Sequence, residues 1–365
     1  MAAVSPRSCF RKRDDSMASF MEYTMQRQPE DLRQLLSGGW PQARAAADLL
    51  NGSSRIVLAG TGTSLHAAMV GSWLFRAAGV DAIAASSFDF STYPGQFGIG
   101  ATDAVIVLAH TGETGFSARA MTDAAASGAT VLSVGCLTAQ HVGPALTLRT
   151  VPLERAATYT ASHLTAMTVL AQIAIEYGSR TGVGRMDQLR DSLQQIPEMV
   201  QSALSRKEEV AAVAAMAVDR RVYAIGSGPN EATALELVIK VREAAFASID
   251  GMSAEQFLHG PIVAMNADDL LVAVNPAGSS TQRLSAIASV ALSLGAHAWH
   301  VGDAPVPAGA TQFALPSLPE VLSPLLAVVP MQMLSLEMAN LRGTNPDEFR
   351  WDDPQYRLSF ERLTL

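Results

Sequence analysis

Glu236, Lys240 and Glu243 recur at i, i+4 and i+7, so on a helix they line one face. The stretch that holds them starts with an apolar run, 222–225, that reads as a buried strand, followed by the turn Gly226-Ser227-Gly228. Pro229-Asn230 then opens a helix to about residue 247, with Asn230 as its N-cap. A short loop leads to a lone His259-Gly260-Pro261. A solvated stripe of i,i+4 ion pairs would also produce the charged face. Two features count against it: the chain has only three lysines (Lys12, Lys207 and Lys240), and that lone His-Gly-Pro follows the helix so closely. A carboxylate, an ammonium and an imidazole from one strand-turn-helix-loop unit are the groups that proton transfer requires.

A second set of residues could hold the substrate. Gly60-Thr61-Gly62-Thr63-Ser64 and His110-Thr111-Gly112-Glu113-Thr114 each join a strand end to a helix start. Backbone N–H groups at such a junction point outward, and the helix dipole favours an anion. The hydroxyls of Thr61, Thr63, Ser64, Thr111 and Thr114 add donors without charge. Ordinary N-capping explains Thr and Ser equally well at either turn alone. Two such turns at the C-terminal ends of strands in one sheet mark the crevice where open α/β sheets bind ligands. The spacing lacks the third glycine of a dinucleotide fingerprint, and the Walker lysine is missing.

These groups sit on alternating strands and helices. Strands are expected at 55–59, 81–86, 104–109, 129–134 and 146–151, with helices at 65–78, 115–127 and 159–177. That alternation means a parallel sheet covered on both faces, an α/β fold. The second half repeats the first. Residues 55–64 align with 221–230 at an offset of 166, as do 105–114 with 271–280, while 128–134 align with 295–301 at 167. Three matches in register imply a duplicated domain. The expected organisation is a disordered tail at 1–16, leading helices at 17–53 broken at Gln28-Pro29, a first domain at 54–181, a helical connector at 182–219, a second domain at 220–341 and an irregular tail at 342–365. Met17 opens a sequence that looks like a natural N-terminus.

Composition narrows the function. Of 365 residues, 48% are hydrophobic and only 16% charged, with a net charge of −8, which argues against a nucleic-acid surface. Cys9 and Cys136 form neither a metal pattern nor a disulfide framework, which fits a reducing cytoplasm. No apolar run reaches about 18 residues, so no membrane span is expected. The histidines at 66, 110, 141, 163, 297 and 300 show no metal-ligand spacing, and His66 is expected to cap or to face solvent. No metal or cofactor is required.

Taken together, these motifs resemble the tandem sugar-isomerase (SIS) domain family over residues 17–365. That family includes the isomerase half of glucosamine-6-phosphate synthase and smaller phosphosugar isomerases, amino-sugar-phosphate deaminases and fructosamine-6-phosphate deglycases. Thr61-Gly62-Thr63-Ser64 is similar to its Cys-Gly-Thr-Ser turn, and 109–114 to its Ser-Gln-Ser-Gly-Glu-Thr turn. Lys240-Val241-Arg242-Glu243 matches its Lys-x-Lys-Glu helix, and 259–261 its His-Gly-Pro. The resemblance implies two flavodoxin-like three-layer domains and a sugar phosphate held by Gly62, Thr63, Ser64, His110, Thr111, Gly112, Thr114 and Thr160. It further implies Glu243 as the C1/C2 proton carrier, Lys240 beside the enediolate oxygen, and His259 for ring opening. In the relatives that histidine reaches the site from the neighbouring subunit, which implies a homodimer with shared sites. Arg242 points away from the site face by helix geometry and is expected to be structural or a dimer contact rather than catalytic.

The departures matter too. The chain has no room for a glutaminase domain, and the family's Glu-x-x-Val-Ala-Ser-Thr-Lys segment reads Glu154-Arg-Ala-Ala-Thr-Tyr159-Thr160-Ala161. Ala109 and His110 replace a serine and a glutamine, and the tail 356–365 holds no lysine for a Schiff base with a ketose. Isomerisation, deamination and deglycation remain open. So do a non-catalytic sugar-phosphate sensor and an ammonia-dependent aminotransferase.

Overall fold

A computed structural model describes residues 19–112 and 115–362. The chain opens on α1 (Phe20–Gly38) and α2 (Trp40–Leu50). The first sheet follows through β1 (Arg55–Gly60), α3 (Thr63–Ala77), β2 (Ala82–Ser86), α4 (Ser87–Thr92), α5 (Pro94–Phe97) and β3 (Asp103–Leu108). It is completed by α6 (Gly115–Ala126), β4 (Thr130–Gly135), β5 (Leu146–Arg149) and α7 (Ala161–Arg180). Two helices, α8 (Met186–Leu204) and α9 (Lys207–Ala217), bridge to the second sheet. There β6 (Val222–Gly226), α10 (Glu231–Ala245), β7 (Asp250–Ser253), α11 (Ala254–Leu258) and β8 (Leu270–Val274) come first. They are followed by α12 (Thr281–Ser293), β9 (His297–Val301), β10 (Thr311–Phe313), α13 (Pro324–Arg342) and α14 (Pro354–Phe360).

Both sheets are wholly parallel and share one winding. The first runs β2-β1-β3-β4-β5 and the second β7-β6-β8-β9-β10. Ile56 pairs with Ala104 and Val222 with Leu270, so the register repeats at the offset of 166 found in the sequence. The central strands β3 (DAVIVL) and β8 (LLVAV) are buried along their length, as continuous apolar strands between two helical layers must be. Leu74, Leu170, Leu237 and Leu334 from α3, α7, α10 and α13 join inward residues of both sheets, Ile56 and Val272 among them, in one core. Separate outer layers pack Val57 and Val105 under Met121, and Ile225 and Leu271 under Leu284.

Four local expectations fail. The helix does not break at Pro29: α1 runs through it, with Met25, Pro29, Leu32, Leu35 and Leu36 buried. An interior proline costs about 3 kcal/mol, and burying several large apolar side chains at about 1.5–3 kcal/mol each outweighs it. The segment after α10 is not a plain loop, because Asp250–Ser253 adds a parallel strand to β6. The segment 320–342 holds an 18-residue window apolar enough to span a bilayer, yet 89% of that window is buried inside the protein, as in a core helix. Finally, the tail is partly ordered: Asp347 accepts from the backbone N–H of Phe20 and Met21, both at 2.9 Å, and so caps α1, while α14 follows. The expected disordered tail at 1–16 lies outside the described residues.

Candidate active site

The two hydroxyl-bearing turns owe their shape to glycine. Gly62 sits at φ +57 before α3, and Gly112 at φ +83 after β3. A Cβ on Gly112 would come within 2.3 Å of the His141 ring, so a side chain there is excluded twice over. His141 is itself fixed between the Ser133 hydroxyl (2.8 Å) and the Ala109 carbonyl (3.0 Å). The turns open on a cavity of about 690 Å³ lined by Gly62, Thr63, Ser64, His110 and Thr111 from the first half. From the second half α10 contributes Lys240 and Glu243, and the C-terminal segment contributes Asp347, Phe349 and Trp351. The expected binding turns and the expected proton carrier therefore share one crevice, between the C-terminal ends of the first sheet and the helix of the second.

Electrostatics under the crevice centre on Glu236, which is fully buried. It accepts from the Thr63 hydroxyl at 3.1 Å and lies 2.6 Å from His66 Nδ1 and 3.6 Å from Lys240 Nζ. Burial would push its carboxyl up, but His163, Lys240 and His66 outweigh that and hold it at about 2. As an ionised carboxylate it can only accept, so His66 Nδ1 carries the proton in this pair. Lys240, also fully buried, donates to Glu243 Oε2 at 2.5 Å. Burial pulls Lys240 down, yet Glu243 and Glu236 raise it net, which keeps it an ammonium. Glu243 is the more exposed partner, and burial pushes its carboxyl above the usual range in spite of Lys240. The result is a carboxylate on the cavity wall whose affinity for a proton is enhanced, backed by a fixed positive charge.

The other predicted residues are placed as follows. His110 lines the cavity with its ring edge-on to Tyr159 at 4.9 Å; burial lowers its pKa, and its Nε2 faces the Glu154 N–H at 3.4 Å. Thr160 is not on the cavity wall. It is fully buried at the start of α7, where its N–H donates to Glu154, and its hydroxyl lies within bonding distance of Thr24. Glu154 also accepts from the N–H groups of Ala161 and Ser162, so this helix start is satisfied by an internal carboxylate. His259 is exposed, pairs with Glu255 at 3.2 Å and does not line its own chain's cavity. Thr114 lies outside the described residues. Asn230 stands at the N-cap, but its side chain bonds Ser323 and Thr233 instead of the helix N–H groups. Arg242 bonds the Ile249 carbonyl at 2.9 Å, a structural contact.

Sequence reasoning gave His163 no role, expected His66 to cap or to face solvent, and placed Glu236 on the charged face without a task of its own. His66 neither caps nor faces solvent; it is held against the buried carboxylate. His163 lines the cavity, and burial lowers its pKa to about 4. The i, i+4, i+7 spacing carried the signal for Glu236. Nothing local reveals the two histidines, because their partners lie on another helix.

A SIS-domain family model matches residues 215–342. The glutamine–fructose-6-phosphate aminotransferase (isomerizing) of Thermococcus kodakarensis is 30% identical over 342 residues, and that of Pyrococcus horikoshii 28% over 338. Each alignment covers 91% of this chain and 56% of the relative, so the chain spans about half the length of the curated relatives it matches. Among solved structures, the C-terminal domain of glucosamine-fructose-6-phosphate aminotransferase from Francisella tularensis superposes with a TM-score of 0.84 at 16% identity. That superposition covers 92% of this chain and 100% of that one. Tagatose-6-phosphate ketose/aldose isomerase from Escherichia coli gives 0.74 at 19% identity over 90% and 95%. Glucosamine-6-phosphate deaminase from Thermotoga maritima gives 0.70 at 17% over 91% and 98%. These three likenesses are likenesses of fold.

Proposed function

We propose that this chain, which a SIS-domain model matches over residues 215–342, is an enzyme that moves a proton between C1 and C2 of a phosphorylated sugar or amino sugar. One observation carries the proposal: Glu243, with its raised proton affinity, shares a cavity with the two glycine-shaped, hydroxyl-bearing turns and touches Lys240 at 2.5 Å. The phosphate is taken by the Ser64 and Thr111 turns, which leaves the open-chain carbonyl end toward α10. Glu243 removes the proton from one carbon and returns it to the next. The Lys240 ammonium stabilises the oxyanion that develops in between, and burial makes its charge more effective than it would be in water. His259 is assigned to ring opening in the cavity of a second copy, since it stands clear of its own. The domain boundaries proposed are 54–181 and 220–341.

The test is to incubate the protein with a panel of phosphorylated ketoses, aldoses, amino sugars and fructosamines in deuterated water. NMR then reads ketose, ammonia or free amine together with deuterium at C1 or C2. Glu243→Gln should retain binding and lose exchange. Exchange at the wild-type rate in that variant removes Glu243 as the base.

A further inference from the structure

The duplication creates a second crevice related to the first. Gly228 has φ +56 and Gly62 φ +57, 166 residues apart. A Cβ on Gly226 would strike the Asn230 carbonyl, just as one on Gly60 would strike that of Ser64, so the two turns share a conformation. Each turn faces the helix of the other half. A Cβ on Gly62 would lie 3.3 Å from Ile239, and one on Gly228 would lie 4.0 Å from Trp73, again 166 residues apart. Around Gly228 is a cavity of about 600 Å³ lined by Trp73, Arg76, Arg185, Ser279, Ser280 and Glu320 among others.

The same offset shows what this cavity lacks. Leu74 and Ala77 on α3 stand where α10 carries Lys240 and Glu243, so the proton carrier and its ammonium are both missing. Binding groups remain. Arg76 donates to the Ala82 carbonyl at 2.7 Å, and Arg185 to the Ala77 carbonyl at 3.1 Å, which anchors two guanidiniums at the rim. Arg76 lies 5.6 Å from the centre of the Trp73 ring, and that indole is 40% exposed. Glu320 accepts from the Ser279 N–H at 3.1 Å, which brings a carboxylate to the second turn.

We propose that this cavity is a second, non-catalytic binding site for a phosphorylated sugar. Arg76 and Arg185 take the phosphate, the Trp73 face packs against the sugar ring, and Glu320 with Ser279 and Ser280 bonds the hydroxyls. The site does not depend on the reaction proposed for the first cavity.

Calorimetric titration of the full chain with fructose 6-phosphate, repeated with inorganic phosphate as competitor, provides the test. Wild type should bind two molecules per chain. Ser64→Glu, which places a carboxylate in the first cavity, should leave one site. Arg76→Ala/Arg185→Ala should also leave one, and combining all three changes should leave none. Arg185→Glu alone should weaken the second site at least tenfold, and thermal melting confirms that each variant is folded. A single wild-type site that Ser64→Glu abolishes, or binding that the folded double arginine variant retains in full, overturns the proposal. A first cavity that does not bind shows itself separately, as a titration that Ser64→Glu leaves unchanged while the arginine changes abolish it.

Discussion

Replacing Glu236 with Gln removes one negative charge from the buried cluster while keeping its shape. The carboxyl falls from an ordinary value of 4.5 to about 2 in the folded chain, which corresponds to about 3 kcal/mol favouring the ionised form. Removing one member of a buried charge set costs about 3–5 kcal/mol, because the group left behind keeps its desolvation penalty. Here the group left behind is Lys240, fully buried, with Glu243 as its remaining carboxylate. Glu236→Gln should therefore unfold about 3 kcal/mol more easily at pH 7. The pH dependence has a definite sign. A depressed carboxyl contributes stability that is complete above its unfolded pKa and is lost as pH falls through the folded one. The gap between wild type and variant should hold at pH 5–7 and close between 4.5 and about 2. Urea unfolding followed by circular dichroism across that range reads it. A difference under about 1 kcal/mol at pH 7 would refute the assignment of Glu236 as the charge that holds Lys240. A second readout separates site from scaffold. Thr63 and His66 both lean on this carboxylate, so the variant should also bind sugar phosphate more weakly, whereas a purely structural role would leave the folded protein's affinity unchanged.

Further outcomes follow from the same geometry. Burial lowers His163 from 6.5 to about 4, so its stability contribution, about 3 kcal/mol, is present above pH 6.5 and lost as pH falls toward 4. Melting temperature should fall across that window, and His163→Asn should flatten the fall. Asp347→Ala removes the cap on the first turn of α1 and should cost about 0.5–2 kcal/mol in denaturant unfolding. His259→Ala and Glu243→Gln should each be inactive as homodimers but recover about a quarter of wild-type activity after subunit exchange, if His259 acts in the partner's cavity. No recovery, with exchange verified by mass spectrometry, rules out the shared site.

The parallel sheets were legible because their inner strands are largely apolar runs of five or six residues, and the 166-residue offset survives in the strand register itself. The crevice was legible in part. Thr63 and Ser64 stand at the expected turn, but the Thr63 hydroxyl is spent on Glu236, a partner 173 residues away that local pattern cannot reveal. Thr160 fails for the same reason, since the carboxylate of Glu154 folds back and takes the helix start that a ligand would have used. Pro29 and β7 were misread because packing overrode local propensity: one proline cannot break a helix with a long buried face, and Asp250–Ser253 looks polar and glycine-bearing until it pairs with β6.

The aromatic C-terminal segment bears on which chemistry is available. It reaches the cavity with Asp347, Phe349 and Trp351 rather than with an amine. Among the described residues that line the cavity, Lys240 is the one lysine. An amine that attacks a ketose carbonyl must first lose its proton, which requires a depressed pKa. Lys240 is driven the other way: two carboxylates lie within 3.6 Å and 2.5 Å of its Nζ, and they outweigh burial. Held as an ammonium against Glu243, it is suited to face a developing oxyanion and unsuited to form an imine. A route that passes through an enediolate, with the substrate's own oxygen or nitrogen retained through the proton transfer, is therefore the one these side chains favour.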